Sequence, residues 1–354
     1  MHTYIRSTAS ISPQKTFDNA PLPDELVIHH GSRLRCIEPD YKEFIDGKMI
    51  RRMSRIIKMG VAAGAACLKE ANVEIPDAIV TGTAYGCLED TGVFIAKMVE
   101  QKEELLTPTA FIQSTHNTVG AQIALMLHCH NYNNTFVHRG FSFESAVMDA
   151  IMLLKENTVS NILVGGVDEI TDVSQKILSR FGLYKREPIS NENLLGSYSK
   201  GTIAGEGAAF FLLSNHPSAN DYAQLDAIKT IYKPANFQDI ENEVYSFLDE
   251  QSISIEDIDL VITGRNGDKS DNEVYNYLDG SVLKNKALAN YKHLCGEYPT
   301  ATAFALWLAA SIMKAKVVPS YVKQGSIAQR NLKRILIYNH YQNIHHSLLL
   351  ISAC

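Results

Sequence analysis

An apolar helix followed by two strands occurs twice in this chain, once in each half, and that repetition limits the fold more than any other feature. In the first half, Val147, Met148, Ile151 and Leu154 fall at helical spacing and predict a helix over 144–156. A buried strand follows, Asn161-Ile162-Leu163-Val164-Gly165-Gly166, and after an irregular excursion a second, Ala208-Ala209-Phe210-Phe211-Leu212-Leu213. In the second half, residues 301–314 predict a helix apolar nearly all round, hence a buried one. Strands over 334–338 and 347–351 come after it. The polar stretch 214–221 is the best candidate for a linker. The expected architecture is two similar layered α/β halves, 1–215 and 216–354, packed as one structural unit.

Composition narrows the function classes. Of 354 residues, 45% are hydrophobic and 20% charged, which is ample for a core and gives no sign of disorder. Lys and Arg total 33 against 39 Asp and Glu, a net charge of −6 that argues against a nucleic-acid partner. Cys36, Cys67, Cys87, Cys129, Cys295 and Cys354 contain no C-x-x-C pair, so neither a zinc site nor a disulfide framework is signalled. No basic region followed by an apolar run opens the chain. The longest apolar stretch, 301–313, is shorter than the roughly 20 residues of a membrane span. A soluble, cytoplasmic protein is expected.

The approaches to both apolar helices are rich in small or polar residues: Val137-His138-Arg139-Gly140-Phe141-Ser142-Phe143 and Lys292-His293-Leu294-Cys295-Gly296-Glu297. A helix N-terminus gathers unpaired N–H groups and partial positive charge, so it stabilises a thiolate or an oxyanion. Tight loops entering core helices would look the same.

Several segments, taken in order, resemble the β-ketoacyl synthases, condensing enzymes of fatty-acid and polyketide assembly. Tyr4-Ile5-Arg6-Ser7-Thr8-Ala9-Ser10-Ile11-Ser12-Pro13 is similar to their first strand and its "SP" turn. Ile162-Leu163-Val164-Gly165-Gly166-Val167-Asp168-Glu169 resembles the "VVAGGAE" strand, and Gly201-Thr202-Ile203-Ala204-Gly205-Glu206-Gly207-Ala208 the "GFVLGEGAG" segment. Lys292 and Gly296 sit where "KSxxGH" would place them, and Asn339 with Tyr341 resembles in part the closing "SNSFGFGG" loop. The resemblance implies a thiolase-type fold, two similar α/β halves in a five-layer αβαβα arrangement.

It also implies a chemistry that these residues do not supply. Decarboxylative condensation uses a cysteine at a buried helix N-terminus, two histidines and an oxyanion hole of backbone N–H groups. Aligned on the helix, the nucleophile position falls on Gly140, give or take one residue, and none of Arg139, Gly140 and Phe141 can carry an acyl group. The first histidine position falls in the loop Gly264-Arg265-Asn266-Gly267-Asp268-Lys269, and no histidine occurs from 217 to 291. Glu297 stands at the second, where a carboxylate would repel an enolate. Gln342-Asn343-Ile344-His345-His346 replaces the glycine loop, placing the two histidines on a hairpin turn where their side chains diverge. Lys292 is retained, and with Glu297 and Arg265 it would form an ion-pair set.

The pattern is similar to the chain-length-factor branch of the family, which lacks the cysteine and pairs with an active ketosynthase. It implies no catalytic residue, cofactor or metal, and names as partners a ketosynthase subunit, or a second copy, together with an acyl carrier protein. Phe111, His116, Phe141, Phe143 and Tyr341 are the expected tunnel or interface residues, although such aromatics also fill cores. Two other readings stand beside this one. Ser142 or Ser145, with His138 or His116 as base, would make an acyltransferase or hydrolase, unless Ser142 simply caps its helix. A homodimer would be an acyl-binding protein without chemistry.

Overall fold

Near-continuous apolar runs, buried on both faces, build a single large sheet. In a computed structural model, residues 2–17, 22–325 and 332–354 are described. The strands of this sheet are β1 (Thr3–Ile11), β2 (Ala78–Gly82), β3 (Tyr132–Phe136), β4 (Asn161–Asp168), β5 (Gly207–Ser214), β6 (Ala223–Tyr232), β7 (Leu260–Thr263), β8 (Leu288–Asn290), β9 (Lys323–Gln324), β10 (Arg334–Tyr341) and β11 (His345–Ser352). Their spatial order is β9-β8-β7-β10-β11-β6-β1-β5-β4-β2-β3. The order β1-β5-β4-β2-β3 of the first half is repeated as β6-β11-β10-β7-β8 in the second. In each, the fourth strand of this order (β2, β7) runs parallel to both neighbours, and the pairing of β4 with β5 and of β10 with β11 is antiparallel. Thr3–Ile5 pairs with Ala223–Leu225 and joins the two sets.

The longer helices are α1 (Arg55–Ala71), α2 (Leu88–Glu100), α3 (Pro108–Gln113), α4 (Thr118–Leu127), α5 (Ser142–Lys155), α6 (Asp172–Arg180), α7 (Phe237–Asp249), α8 (Glu273–Gly280) and α9 (Thr302–Ala315). Because successive strand residues face opposite ways, each strand feeds two cores. Ile79 and Leu163 join the core under α1 and α4, while Val80 and Val164 join the core around α5 and α9. In the second half, Ile335 and Ile337 enter that same central core, and Leu336 and Tyr338 pack with α7 and α8. Five layers result, αβαβα. Helix α9 lies between the two sheet halves, so every residue from Thr302 to Met313 is buried. That is why it is apolar all round.

The stretch 214–221 joins the two halves as a short structured turn. Ser214 ends β5, and the next seven residues form a turn in which buried Asp221 holds Arg6 Nε at 2.5 Å and accepts from Ser218 N at 2.6 Å. Its polarity serves this local network. The division expected at 215/216 falls inside that turn, across which the halves share both sheet and central helices.

Helices α5 and α9 begin at the carboxyl edge of the parallel strands, the edge where open α/β sheets form their clefts.

Candidate functional site

Gly140 ends the loop from β3 into α5. A Cβ there would lie 2.8 Å from Tyr341 Cβ and 2.9 Å from His345 Cβ, so no side chain fits the position that the resemblance assigns to the nucleophile. The hairpin geometry explains this. Asn339 and Tyr341 lie in β10 and His345 and His346 in β11, with only 342–344 between them. This corrects the expectation that the histidines occupy a turn. Gln342 and Asn343 take φ of 57° and 50°, so the hairpin closes without glycine. Within the strand pair, His346 Nδ1 meets Tyr338 Oη at 2.9 Å. His345 is turned to the opposite face, where it packs edge-on to Phe141 with ring centroids 4.7 Å apart.

The first histidine position is filled in the same way. A Cβ on Gly264 would overlap Asn339 Oδ1 and lie 2.7 Å from the Tyr275 hydroxyl. At the second, Glu297 Oε1 accepts from Lys292 Nζ at 2.5 Å, and Oε2 from Asn266 Nδ2 at 2.9 Å. Burial raises the Glu297 carboxyl and the Lys292 ammonium opposes that rise. Its negative charge is therefore matched within the protein. Arg265 does not join this pair, contrary to expectation: it turns to Asp279 at 2.6 Å and Asn276 at 2.7 Å.

Sequence reasoning missed two carboxyls that close the centre. Asp168, at the end of β4, accepts from Thr83 Oγ1 (2.9 Å), Ala84 N (2.9 Å) and Tyr85 N (3.3 Å), and from Thr300 N (3.2 Å) and Thr300 Oγ1 (2.8 Å). It ties the first half to the entry of α9. Glu144, in the first turn of α5, is fully buried near the hydroxyls of Thr302 and Ser347, and neither forms a well-aligned hydrogen bond with it. Burial pushes its carboxyl up to about 7. The signal for Asp168 was its place in the resemblance; Glu144 had none.

Ser142 is not a helix cap, which corrects that expectation: Phe141 occupies the cap position. The Ser142 hydroxyl donates to Arg139 O and accepts from His138 N, both at 2.8 Å, and so braces the loop. His138 Nδ1 reaches Ser145 Oγ instead, at 3.4 Å. Phe143 is fully buried beside Phe211, ring centroids 5.9 Å apart, in the central core. Tyr341 is buried, its hydroxyl 3.3 Å from that of Tyr85. His116 is exposed and lies against Gly86, next to Tyr85. Phe111 is farther out: 56% exposed on α3, it contacts Phe94 with centroids 5.7 Å apart. Cys129 Sγ approaches Pro76 O at 3.7 Å, at the opposite edge of the sheet from Gly140. The Cys295 thiol, after Lys292, is pushed well up by burial.

Residues 38–179 match the family model of the β-ketoacyl synthase N-terminal domain. No curated protein matches the sequence. Among solved structures, the chain is similar to the ishigamide ketosynthase/chain length factor, with TM-score 0.80 and 15% identity over 100% of this chain and 99% of that one. It is similar to AntDE:AntF, a type II polyketide synthase acyl-carrier protein in complex with its ketosynthase (0.77, 11%, 100% and 99%). It is also similar to the ketosynthase ApeO in complex with its chain length factor ApeC from Xenorhabdus doucetiae (0.75, 14%, 100% and 98%). No helix among the described residues is long and apolar enough to cross a membrane. The chain as a whole thus shares the five-layer fold of these ketosynthase structures, and residues 38–179 match the family model of the β-ketoacyl synthase N-terminal domain.

Proposed function

We propose that this protein is a non-catalytic subunit of the chain-length-factor type, which pairs with an active β-ketoacyl-acyl-carrier-protein synthase and shapes its acyl tunnel. The observation that carries this reading is the occupation of the Gly140 side-chain space by Tyr341 and His345. A condensing enzyme needs a thiolate there, and an added side chain meets β-carbon atoms from two strands. The Gly264 and Glu297 environments support the same conclusion, since each is closed by partners within the chain.

Surface features support a partner subunit. Strand β3 is the free edge of the sheet, with its backbone groups unpaired on one side. Elsewhere on the surface, α2, α3 and α6 contain no buried residue, and Val93, Phe111, Ile112, Leu125, Val137 and Phe181 are exposed. Apolar exposure on this scale marks an interface. Phe111 and the 107–120 segment would wall the acyl tunnel of the partner, and an acyl carrier protein would deliver its substrate. A catalytic reading through Ser142 lacks a base, because both hydrogen bonds of its hydroxyl go to backbone.

The test is co-expression with an active β-ketoacyl synthase from the same source, followed by co-purification and product analysis. A stable heterodimer whose product shortens with Phe111→Trp and lengthens with Phe111→Ala supports the reading. Condensation by the isolated chain, an acyl group on Ser142 after incubation with acyl-carrier-protein thioesters, or an unchanged product across the Phe111 series would overturn it.

A further inference from the structure

A surface cavity of about 450 Å³ opens between residues 182–187 and 199–200, in the excursion from α6 to β5. The local backbone builds it. The amide of Lys185 donates to Thr202 O at 2.9 Å and that of Thr202 to Leu183 O at 3.0 Å, which zips the two segments together. Gly201 permits the approach: its φ is 83°, and a Cβ there would lie 2.5 Å from the Tyr184 carbonyl carbon. Tyr184 and Lys185 are thereby held on the buried side of the cavity, 8% and 6% exposed. Arg186, Glu187, Ser199 and Lys200 stand at its exposed rim. Gly182 leaves Lys200 room to lie along the wall, since a Cβ on that glycine would be 3.3 Å from Lys200 Nζ.

Three cations therefore line one cavity against a single carboxylate, that of Glu187. Among the described residues, no carboxylate forms an ion pair with Lys185, Arg186 or Lys200. The Lys185 ammonium is satisfied by dipoles alone: Nζ donates to Gly267 O and Ser199 Oγ, each at 2.9 Å, and to Ser199 O at 3.4 Å. Burial lowers this group, and Asp268, the charge that opposes the shift, is engaged with the amides of Gly201, Ser270 and Asp271. A buried charge without a counter-ion is costly, and an anion in the cavity would offset that cost.

We propose that Tyr184, Lys185, Arg186 and Lys200 form a binding site for a small organic acid, one carboxylate on an apolar body. The volume is that of a small-molecule pocket and far exceeds what an inorganic ion fills. Arg186 offers the fork that matches a carboxylate, Lys200 a second charge, and Lys185 its field from the buried side. The Tyr184 ring and the methylene stems of the three cations supply apolar wall. The site shares no residue with the closed centre around Gly140, Gly264 and Glu297, or with the exposed face of α3.

The test is ligand-observed NMR titration of the isolated full chain at low salt with benzoate, hexanoate, benzamide and inorganic sulfate. Benzoate or hexanoate binds about 10-fold or more tightly than benzamide and sulfate, and the better of the two identifies the body as aromatic or alkyl. Arg186→Gln with Lys200→Gln lowers that affinity by about 10-fold or more. The melting temperature stays in place, because both side chains are exposed. Glu187→Gln acts the other way and raises the affinity about 2–5-fold, since the repelling charge at the rim is gone. Equal binding of benzoate and benzamide, sulfate as tight as either carboxylate, unchanged affinity in the double variant, or no binding of either carboxylate overturns the site. Because no ketosynthase takes part in this experiment, its failure leaves the heterodimer test standing, and failure of the heterodimer leaves this one standing.

Discussion

His345 Cβ stands 2.9 Å from the point where a Cβ on Gly140 would lie, and both residues sit at the carboxyl edge of the sheet. Installing a thiol there therefore does not rebuild an enzyme. Gly140→Cys is expected to destabilise the protein by about 1–3 kcal/mol through overpacking and to leave it without condensation activity. His345→Ala does not relieve the clash, because the offending atom is a β-carbon. His345→Gly recovers part of the loss, with Tyr341 Cβ still at 2.8 Å. Urea denaturation of the single and double variants measures this; a Gly140→Cys protein as stable as the parent contradicts the packing argument.

The Lys292–Glu297 pair makes a second prediction. Both side chains are almost wholly buried and their polar atoms are 2.5 Å apart. Removing one partner strands the other charge, so Lys292→Met is expected to cost about 3–5 kcal/mol. Lys292→Met with Glu297→Leu costs much less, because replacing a buried pair by apolar groups is often close to neutral. Glu297→Gln strands the Lys292 charge and is expected to cost about as much as Lys292→Met, although the amide still meets Asn266. If the double variant is no more stable than the single, the pair is not what fills this position.

Glu144 sets a pH dependence. Its carboxyl is raised to about 7 in the folded protein against an ordinary value near 4.5. Between these values the native state keeps a proton that the unfolded chain releases, so its contribution is fully present below about 4.5 and is lost as pH rises through about 7. Glu144→Gln removes that component and flattens the fall in stability over this window. At pH 8 the variant is the more stable, by on the order of 3 kcal/mol. His293, pushed down to about 4, and His340 and His346, each to about 3, act in the opposite sense: their contribution is present above about 6.5 and is lost as pH falls toward 3–4. They are the same in both proteins and cancel in the comparison. Parallel melting curves for parent and variant from pH 5 to 8 would rule out a buried neutral carboxyl at 144.

The helix-strand-strand repeat was legible because it rests on local periodicity, and burial on both sides of α9 left it apolar all round. That positions 140, 264 and 297 do not carry the residue types the resemblance leads one to expect was legible. What fills them was not. His345 read as a turn residue because Gln342 and Asn343 close the hairpin in left-handed backbone without a glycine to mark it. Ser142 read as a cap because the role of serine in a loop brace depends on which backbone groups the fold brings to it. Arg265 read as a partner of Glu297 because proximity to a motif carries no direction, and its side chain turns toward α8. Glu144 gave no signal at all, since a carboxyl followed by Ser145-Ala146 looks like any exposed first turn.

The exposed α3 surface makes the last prediction. Phe111 and Ile112 are 56% and 58% exposed, so charging them removes little packing within the chain beyond the contact of Phe111 with Phe94. Phe111→Asp with Ile112→Asp is expected to change the stability of the isolated chain by less than about 0.5 kcal/mol. In a heterodimer the same carboxylates would be buried without partners, a penalty of several kcal/mol. Recovery of the ketosynthase in co-purification therefore falls at least 10-fold while the melting temperature of the separate chain is unchanged. Undiminished recovery would place the partner on another face, and a large drop in melting temperature would mean that α3 packs within its own chain more tightly than these exposures allow.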